Sequence, residues 1–407
     1  MNIIKKFPIL LPKNIDMEKW GIIACDQYTT DIEYWNKLLK YVDSAPSALH
    51  LIFPEIYLKS SSDEIEKRID NIDDTMNKYL KTGIFSEING FILVERTINR
   101  NKKRIGLIAC VDLEEYDYSR NDLKIRSTEE TIEERLPIRI HIREKAPIEL
   151  PHILLLMDDA EKTVIEPLYA DINKYDKLYD FDLNMDGGHI CGYKIPFSDE
   201  LISKFNALLD KNLQISKYGK DAGILFAVGD GNHSMATAKK CWENIKQTLT
   251  EDEKLFHPAR YALVEIINLY DDALDFLPIH RNIKNCNPDV FCARLQNNLN
   301  GSGKLSVFTH DGEKTISCPS SPIQTIIDIQ NFLEKEKNNG AIIEYVHEKE
   351  KVIADSLNDD CVGIIMPSFP KECLFDYTVN TGKLPKKAFS IGEEKTKKYY
   401  IEAKRIK

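Results

Sequence analysis

The stretch G-I-L-F-A-V-G-D-G-N-H-S-M-A-T-A-K-K-C-W-E-N-I-K, Gly223 to Lys246, decides the fold. Gly223 to Val228 is the continuous apolar run of a buried strand, and Met235, Ala238, Trp242 and Ile245 recur at helical spacing over Ser234 to Lys246. Between them V-G-D-G-N-H-S (Val228 to Ser234) reads as a glycine-bearing turn, so the order is strand, turn, helix. The first helical amides, expected to be those of His233, Ser234 and Met235, lack backbone partners and favour an anion. Asp230 ahead of them would repel a bare phosphate, which points to a Mg²⁺ ion, a substrate proton or a cationic group as its partner. His233 can donate to a phosphate oxygen or carry a proton near neutral pH. The alternative is that Asp230 and Asn232 only cap the helix, with His233 at the surface.

Working outward, Gly21 to Cys25 reads as a strand opening into Asp26, Gln27, Tyr28 and Thr29, and strand ends are where α/β proteins put ligands. Asp63 to Leu80 has helical periodicity, and Gly90 to Val94 and Ile105 to Leu113 read as paired strands with a hairpin turn at Asn99 to Lys103. Ile138, Ile140 and Ile142 alternate with Arg139, His141 and Arg143, a period-two pattern that predicts a strand with one basic face. That face and Arg126 are candidates for holding an anion, although ion pairs with nearby glutamates are the commoner reason for such a charged face. Ile153 to Met157 is expected as a buried strand and Asp199 to Leu213 as one amphipathic helix, with the small turn Asp186 to His189 between them. Strands are expected at Arg260 to Asn268 and Leu274 to His280, where His280 and Arg281 end in the run P-I-H-R. Helices follow near Pro288 to Leu299 and from Pro322 to Lys337, and strands at Ala341 to Val346, Val362 to Met366 and Lys398 to Ala403.

A chain of 407 residues is long for one core. The expected division is a catalytic region over residues 1–284 and a smaller C-terminal α+β unit over 285–407, within an α/β (α+β) fold class. The net charge of -10 argues against nucleic acid as a partner. With no signal segment or spanning run, the expectation is a cytoplasmic protein without a membrane partner. Nine cysteines without zinc-finger spacing read as reduced thiols, with Cys25 the one candidate nucleophile. The phosphate loop G-x-x-x-x-G-K-[ST], the G-x-G-x-x-G fingerprint and the kinase H-R-D signature are absent from the sequence.

The segments G-I-I-A-C-D-Q-Y-T (Gly21 to Thr29), S-A-P-S-A-L-H-L-I-F-P-E (Ser44 to Glu55), I-R-S-T-E-E-T-I-E-E-R-L-P-I-R-I-H-I-R-E (Ile125 to Glu144), G-G-H-I (Gly187 to Ile190), V-G-D-G-N-H-S-M-A-T-A-K (Val228 to Lys239), H-P-A-R-Y-A-L-V-E (His257 to Glu265) and P-I-H-R (Pro278 to Arg281) resemble the domain-of-unknown-function family numbered 1015. In much of that family the central motif reads D-G-H-H-R, which is similar to the signature of free-serine kinases on the ParB/sulfiredoxin-like fold. The resemblance implies a mixed-sheet core of that type and a phosphotransferase, a kinase of serine metabolism. It would pass a phosphoryl group from pyrophosphate, or from ADP, to free L-serine to give phosphoserine, with magnesium (Mg²⁺) as cofactor. Asp230, Gly231 and His233 match the motif, whereas Asn232 and Ser234 replace its second His and its Arg. The implied site has Asp230, His233 and Asp26 as catalytic residues and Asp230 as metal ligand. Gly231, Asn232, Ser234, Arg126, Arg139, Arg143 and Arg260 would bind phosphate, and Thr128, Glu129, His280 and Arg281 the substrate. The Arg missing at Ser234 leaves open a second class of function, a non-catalytic module that senses a phosphate or nucleotide ligand.

Overall fold

The computed structural model describes residues 2–99, 102–131 and 133–407. It forms two compact units, one of Met1–Leu274, Phe375–Gly382 and Glu394–Lys407, the other of Asp275–Leu374 and Lys383–Glu393. The boundary expected at 284/285 thus falls at 274/275, and the C-terminal segment is not part of the second unit. Its Tyr399–Tyr400 pairs with Ile22–Ile23 and its Lys404–Arg405 with Ile148–Glu149. Local patterning marks where a strand lies but carries no sign of which distant strand it joins.

The first unit is built on a mixed nine-stranded sheet. In chain order the strands are β1 (Ile4–Lys5), β2 (Phe91–Asn99), β3 (Lys102–Asp112), β4 (Ile125–Ser127), β5 (Leu154–Met157), β6 (Lys177–Leu183), β7 (Gly188–Ile195), β8 (Phe226–Asp230) and β9 (Tyr261–Asn268). They lie in the order β6-β7-β2-β3-β9-β5-β8-β4, with β1 beside β3. The pairs β9 with β5 and β8 with β4 are parallel. Successive residues enter opposite cores: Ile92, Val94, Ile108 and Cys110 one, Phe91, Leu93, Leu107 and Ala109 the other. Burial on both faces is why these strands read as continuous apolar runs. Of the hairpin turn expected at Asn99 to Lys103, residues 100 and 101 lie outside the described residues, and the strands on either side pair antiparallel.

Three helices of this unit position the site: α1 (Ser62–Lys81), α2 (Leu136–Lys145) and α3 (Asn232–Lys246). Helix α1 opens on a capping box between Ser61 and Glu64. Helix α2 replaces the basic strand expected over Ile138 to Arg143. The isoleucines alternate, but four-residue spacing also stacks Ile138 on Ile142 and Arg139 on Arg143, while His141 and Lys145 pair with Glu66 and Asp70 of α1. A helix keeps the four-residue pairs and turns Ile140 away from the face that Ile138 and Ile142 share. The single helix expected over Asp199 to Leu213 is two, Asp199–Ala207 and Lys211–Tyr218, because Asp210 caps a new start.

The second unit has a five-stranded antiparallel sheet of β10 (His280–Lys284), β11 (Gly303–Thr309), β12 (Gly312–Cys318), β13 (Ile342–Val346) and β14 (Cys361–Ile364), ordered β12-β11-β14-β10-β13. Helices α4 (Pro288–Asn298) and α5 (Pro322–Asn338) belong to it, capped by Asn287 and Ser321. The strand expected over Leu274 to His280 shrinks to Phe276–Leu277. No described helix is long and apolar enough to cross a membrane, and all nine cysteines are free thiols.

Candidate functional site

Strand β8 passes into α3 through Gly231, whose φ of 79° and ψ of 27° lie in the left-handed region. A Cβ there would lie 3.0 Å from Ile153 Cα and 3.3 Å from the His152 carbonyl oxygen, so both backbone conformation and space select glycine. Gly231 is itself the N-cap and brings no side-chain acceptor, so Asp230 and Asn232 do not cap the helix. Asp230 Oδ1 accepts the Gly231 N–H at 2.9 Å, and its Oδ2 accepts from Lys397 Nζ at 3.0 Å. The Met235 N–H is bound by the Gly231 carbonyl at 2.9 Å, so the outward amides expected to include Met235 stop short of it. Asn232 Oδ1 is buried without a hydrogen-bond partner among the described residues. A ligand donor would satisfy it.

The first turn of α3 borders a cleft of about 150 Å³, whose other walls are α2, residues 51–55 and residues 150–153. Leu51, Phe53, Met76, Ile138, Ile142 and Leu150 make most of the lining apolar, while Cys25, Arg139, His152, Ser234, Thr237 and Tyr400 supply the polar end. His152 is 5% exposed. Its Nδ1 lies 2.8 Å from the Tyr400 hydroxyl, and its Nε2 lies 3.3 Å from Asp26 Oδ2 and 3.4 Å from Ser234 Oγ. Carboxylate and hydroxyl share one imidazole nitrogen here, whereas a serine-hydrolase relay puts them on opposite nitrogens. That chemistry is not built.

Burial and the neighbouring Asp26 push the Cys25 thiol up to about 11, so the candidate nucleophile stays protonated at neutral pH. Burial by itself would raise the Asp26 carboxyl, but His152, Gln27 and Arg139 together hold it well below the usual carboxylate range. Arg139 forms an ion pair with Glu55, and Arg143 pairs with Glu149.

Asp26, Arg139, Arg143 and Ser234, far apart in sequence, are thus gathered at or beside the cleft, with Asp230, Gly231, Asn232 and His233 in the turn that leads to it. Other candidates are committed elsewhere. Arg126 is buried and donates to the carbonyls of Leu123 and Ala222, which corrects its expected phosphate role. Arg260 holds Asp112 through Nε at 2.9 Å and Nη2 at 2.7 Å, a structural pair. The fully buried Thr128 hydroxyl donates to the Val228 carbonyl at 2.6 Å, so it braces β8, and Glu129 follows it half-buried. His280 and Arg281 belong to the second unit. There His280 Nδ1 accepts the Met366 N–H at 3.1 Å, and Arg281 donates to Gln330 at 3.2 Å and to the Lys387 carbonyl at 2.9 Å. Their expected contact with substrate gives way to these internal bonds. Asp230 already accepts from the Gly231 amide and the Lys397 ammonium, so a Mg²⁺ ion held there would share its oxygens with that cation or displace it.

Three residues escape the sequence reading: His152, Lys397 and Tyr400. A polar His between Pro151 and the apolar run of β5 is a signal that could have found the first. The other two lie in the tail that returns to the first unit and have no local signature.

No curated protein matches the chain. Among solved structures it is similar to a conserved hypothetical protein from Pyrococcus furiosus (11% identity, TM-score 0.37, covering 69% of this chain and 89% of that one). It is also similar to a free serine kinase in complex with AMP (12% identity, TM-score 0.37, covering 71% and 88%). A third is SbnI with C-terminal truncation from Staphylococcus aureus (9% identity, TM-score 0.38, covering 70% and 82%). The model of DUF1015, described as a protein of unknown function, matches residues 10–368, and the chain belongs to that family.

Proposed function

We propose that the chain is a small-molecule phosphotransferase that moves a phosphoryl group from ADP or pyrophosphate to the hydroxyl of a small amino acid, with L-serine the first candidate. The observation that carries this reading is the start of α3. It has no side-chain cap, and it presents Ser234 and Thr237 to a cleft lined also by Arg139. In the reaction the acceptor oxygen attacks the donor's terminal phosphorus, the bond from that phosphorus to the leaving AMP or phosphate breaks, and the hydroxyl proton passes to Asp230 as Lys397 turns from its Oδ2 to the donor phosphates. Positioning and charge neutralisation supply most of such a rate enhancement. Asp26 is a weak base because its carboxyl is held so low, so its part is to fix His152. The apolar walls suit a nucleobase, which pyrophosphate lacks, and this favours ADP over pyrophosphate as donor. Mg²⁺ belongs, in this reading, with the donor phosphates.

One observation favours the second reading, a ligand-binding module without turnover. Arg139, Arg143 and Lys397 each already hold a carboxylate, so a phosphate must compete with Glu55, Glu149 and Asp230. Phosphorus NMR of the full chain with L-serine, Mg²⁺ and either donor separates the two. The expected result is phosphoserine, with formation slowed about 100-fold or more by Asp230→Asn. Binding of donor without product at high protein concentration would overturn the enzymatic reading.

A further inference from the structure

On the edge of the large sheet, away from the cleft, three strands bring a different set of side chains into one row. Asp180 of β6 is the register partner of Cys191 of β7, which is in turn the partner of Glu95 of β2. His189 lies two residues before Cys191, on the same face, opposite Asp182. The row therefore follows from strand register. Asp180, His189 and Cys191 each offer one ligand atom, and those atoms all lie within 4.8 Å of one another. His189 Nε2 is 2.8 Å from Asp180 Oδ1 and 3.4 Å from Cys191 Sγ, while its Nδ1 is 2.6 Å from Asp182 Oδ1.

We propose that Asp180, His189 and Cys191 form a binding site for a zinc-type divalent cation, with Asp182 orienting the imidazole. Ligands around a tetrahedral zinc ion, at about 2.0–2.3 Å from it, sit roughly 3.3–3.8 Å from one another. The present triad needs side-chain adjustments of only a fraction of that spacing. A carboxylate, an imidazole and a thiolate together select a borderline-soft ion such as Zn²⁺ or Co²⁺ over Mg²⁺ or Ca²⁺, which take oxygen ligands. The carboxylate on Nδ1 is the arrangement that fixes a metal-bound histidine's tautomer and leaves Nε2 to the ion. Cys191 binds as thiolate, and its proton goes to solvent. Three protein ligands leave the fourth position to water. Asp180 and His189 are 39% and 38% exposed in their side chains, so an ion reaches them from solvent, while the buried Cys191 closes the inner side. The Lys177 ammonium, paired with Asp180 Oδ2, is the cation that metal binding must displace or move aside.

The test is Co²⁺ titration of the full chain after removal of metal with a chelator, followed by competition with Zn²⁺. The expected result is one Co²⁺ per chain with a thiolate-to-cobalt charge-transfer band that Zn²⁺ abolishes. Cys191→Ser should remove the band while Cys25→Ser keeps it, and His189→Gln, on an exposed side chain, should remove it without disturbing the circular dichroism spectrum. Asp182→Asn should weaken binding about 10- to 100-fold. No saturable band in the wild type, or a band that survives both Cys191→Ser and His189→Gln, would overturn the proposal. Phosphotransferase activity is not read in this titration, so its outcome is separate from that of the proposed function.

Discussion

At Gly231 the backbone, the cleft and the chemistry meet. Gly231→Ala adds a Cβ in the left-handed region 3.0 Å from Ile153 Cα, and a loss of about 1–2 kcal/mol in chemical denaturation is expected. A stability equal to wild type would mean the turn is not held as described. Cys25, pushed up to about 11, should resist iodoacetamide at neutral pH and react only as the pH approaches that value, read by mass spectrometry of the modified peptide. Asp26 gives a pH signature of the opposite kind. Its folded carboxyl is depressed, so its stabilising contribution is present above the ordinary carboxylate range, about pH 4, and is lost only as pH falls further towards the folded value. The difference in Tm between wild type and Asp26→Asn should therefore shrink as the pH is taken below that range. The run Asp230 to Ser234 was legible because its residues are contiguous and straddle one turn. His152 was not, since nothing in its immediate sequence says that Asp26 and Tyr400 will face it.

Among elements, α2 shows how a pattern with two solutions is resolved. Alternating isoleucines allow a strand, but burial favours the conformation that pairs residues four apart, and Pro137 in the first turn suits a helix. The basic character is plain in the sequence, whereas its geometry depends on what the helix packs against. Helix α2 is tied to the returning tail by Glu149, which pairs with Arg143 and sits 3.4 Å from Lys404, all three largely buried. Glu149→Ala leaves two cations without their partner and is expected to cost about 3–5 kcal/mol in urea unfolding. A cost below that of an ordinary surface substitution would contradict the buried pairing. Where periodicity has one solution, as in α1, α3 and α5, element and type are readable from a single apolar face, helped in α1 and α5 by a serine cap.

For the whole molecule, sequence order misleads about membership. By sequence order the last residues fall with the C-terminal unit, yet they supply Lys397, Tyr400 and Lys404 to the first. Ending the chain at Glu393 removes two strand pairings and the Tyr400 contact with His152, and cooperative thermal unfolding of the first unit should be lost in calorimetry. The α/β class and mixed sheet were legible because strand burial shows in composition, whereas pairing across hundreds of residues does not. The cleft beside α3 is proposed to take a phosphate-bearing ligand. The sharpest check is the Tm of wild type and Arg139→Gln with ADP, pyrophosphate, ATP, serine and phosphoserine, since a ligand of the folded state must stabilise it. The expected result is a rise with ADP or pyrophosphate that Arg139→Gln abolishes. No rise with any phosphate-bearing compound, or a rise unchanged in Arg139→Gln, would contradict it.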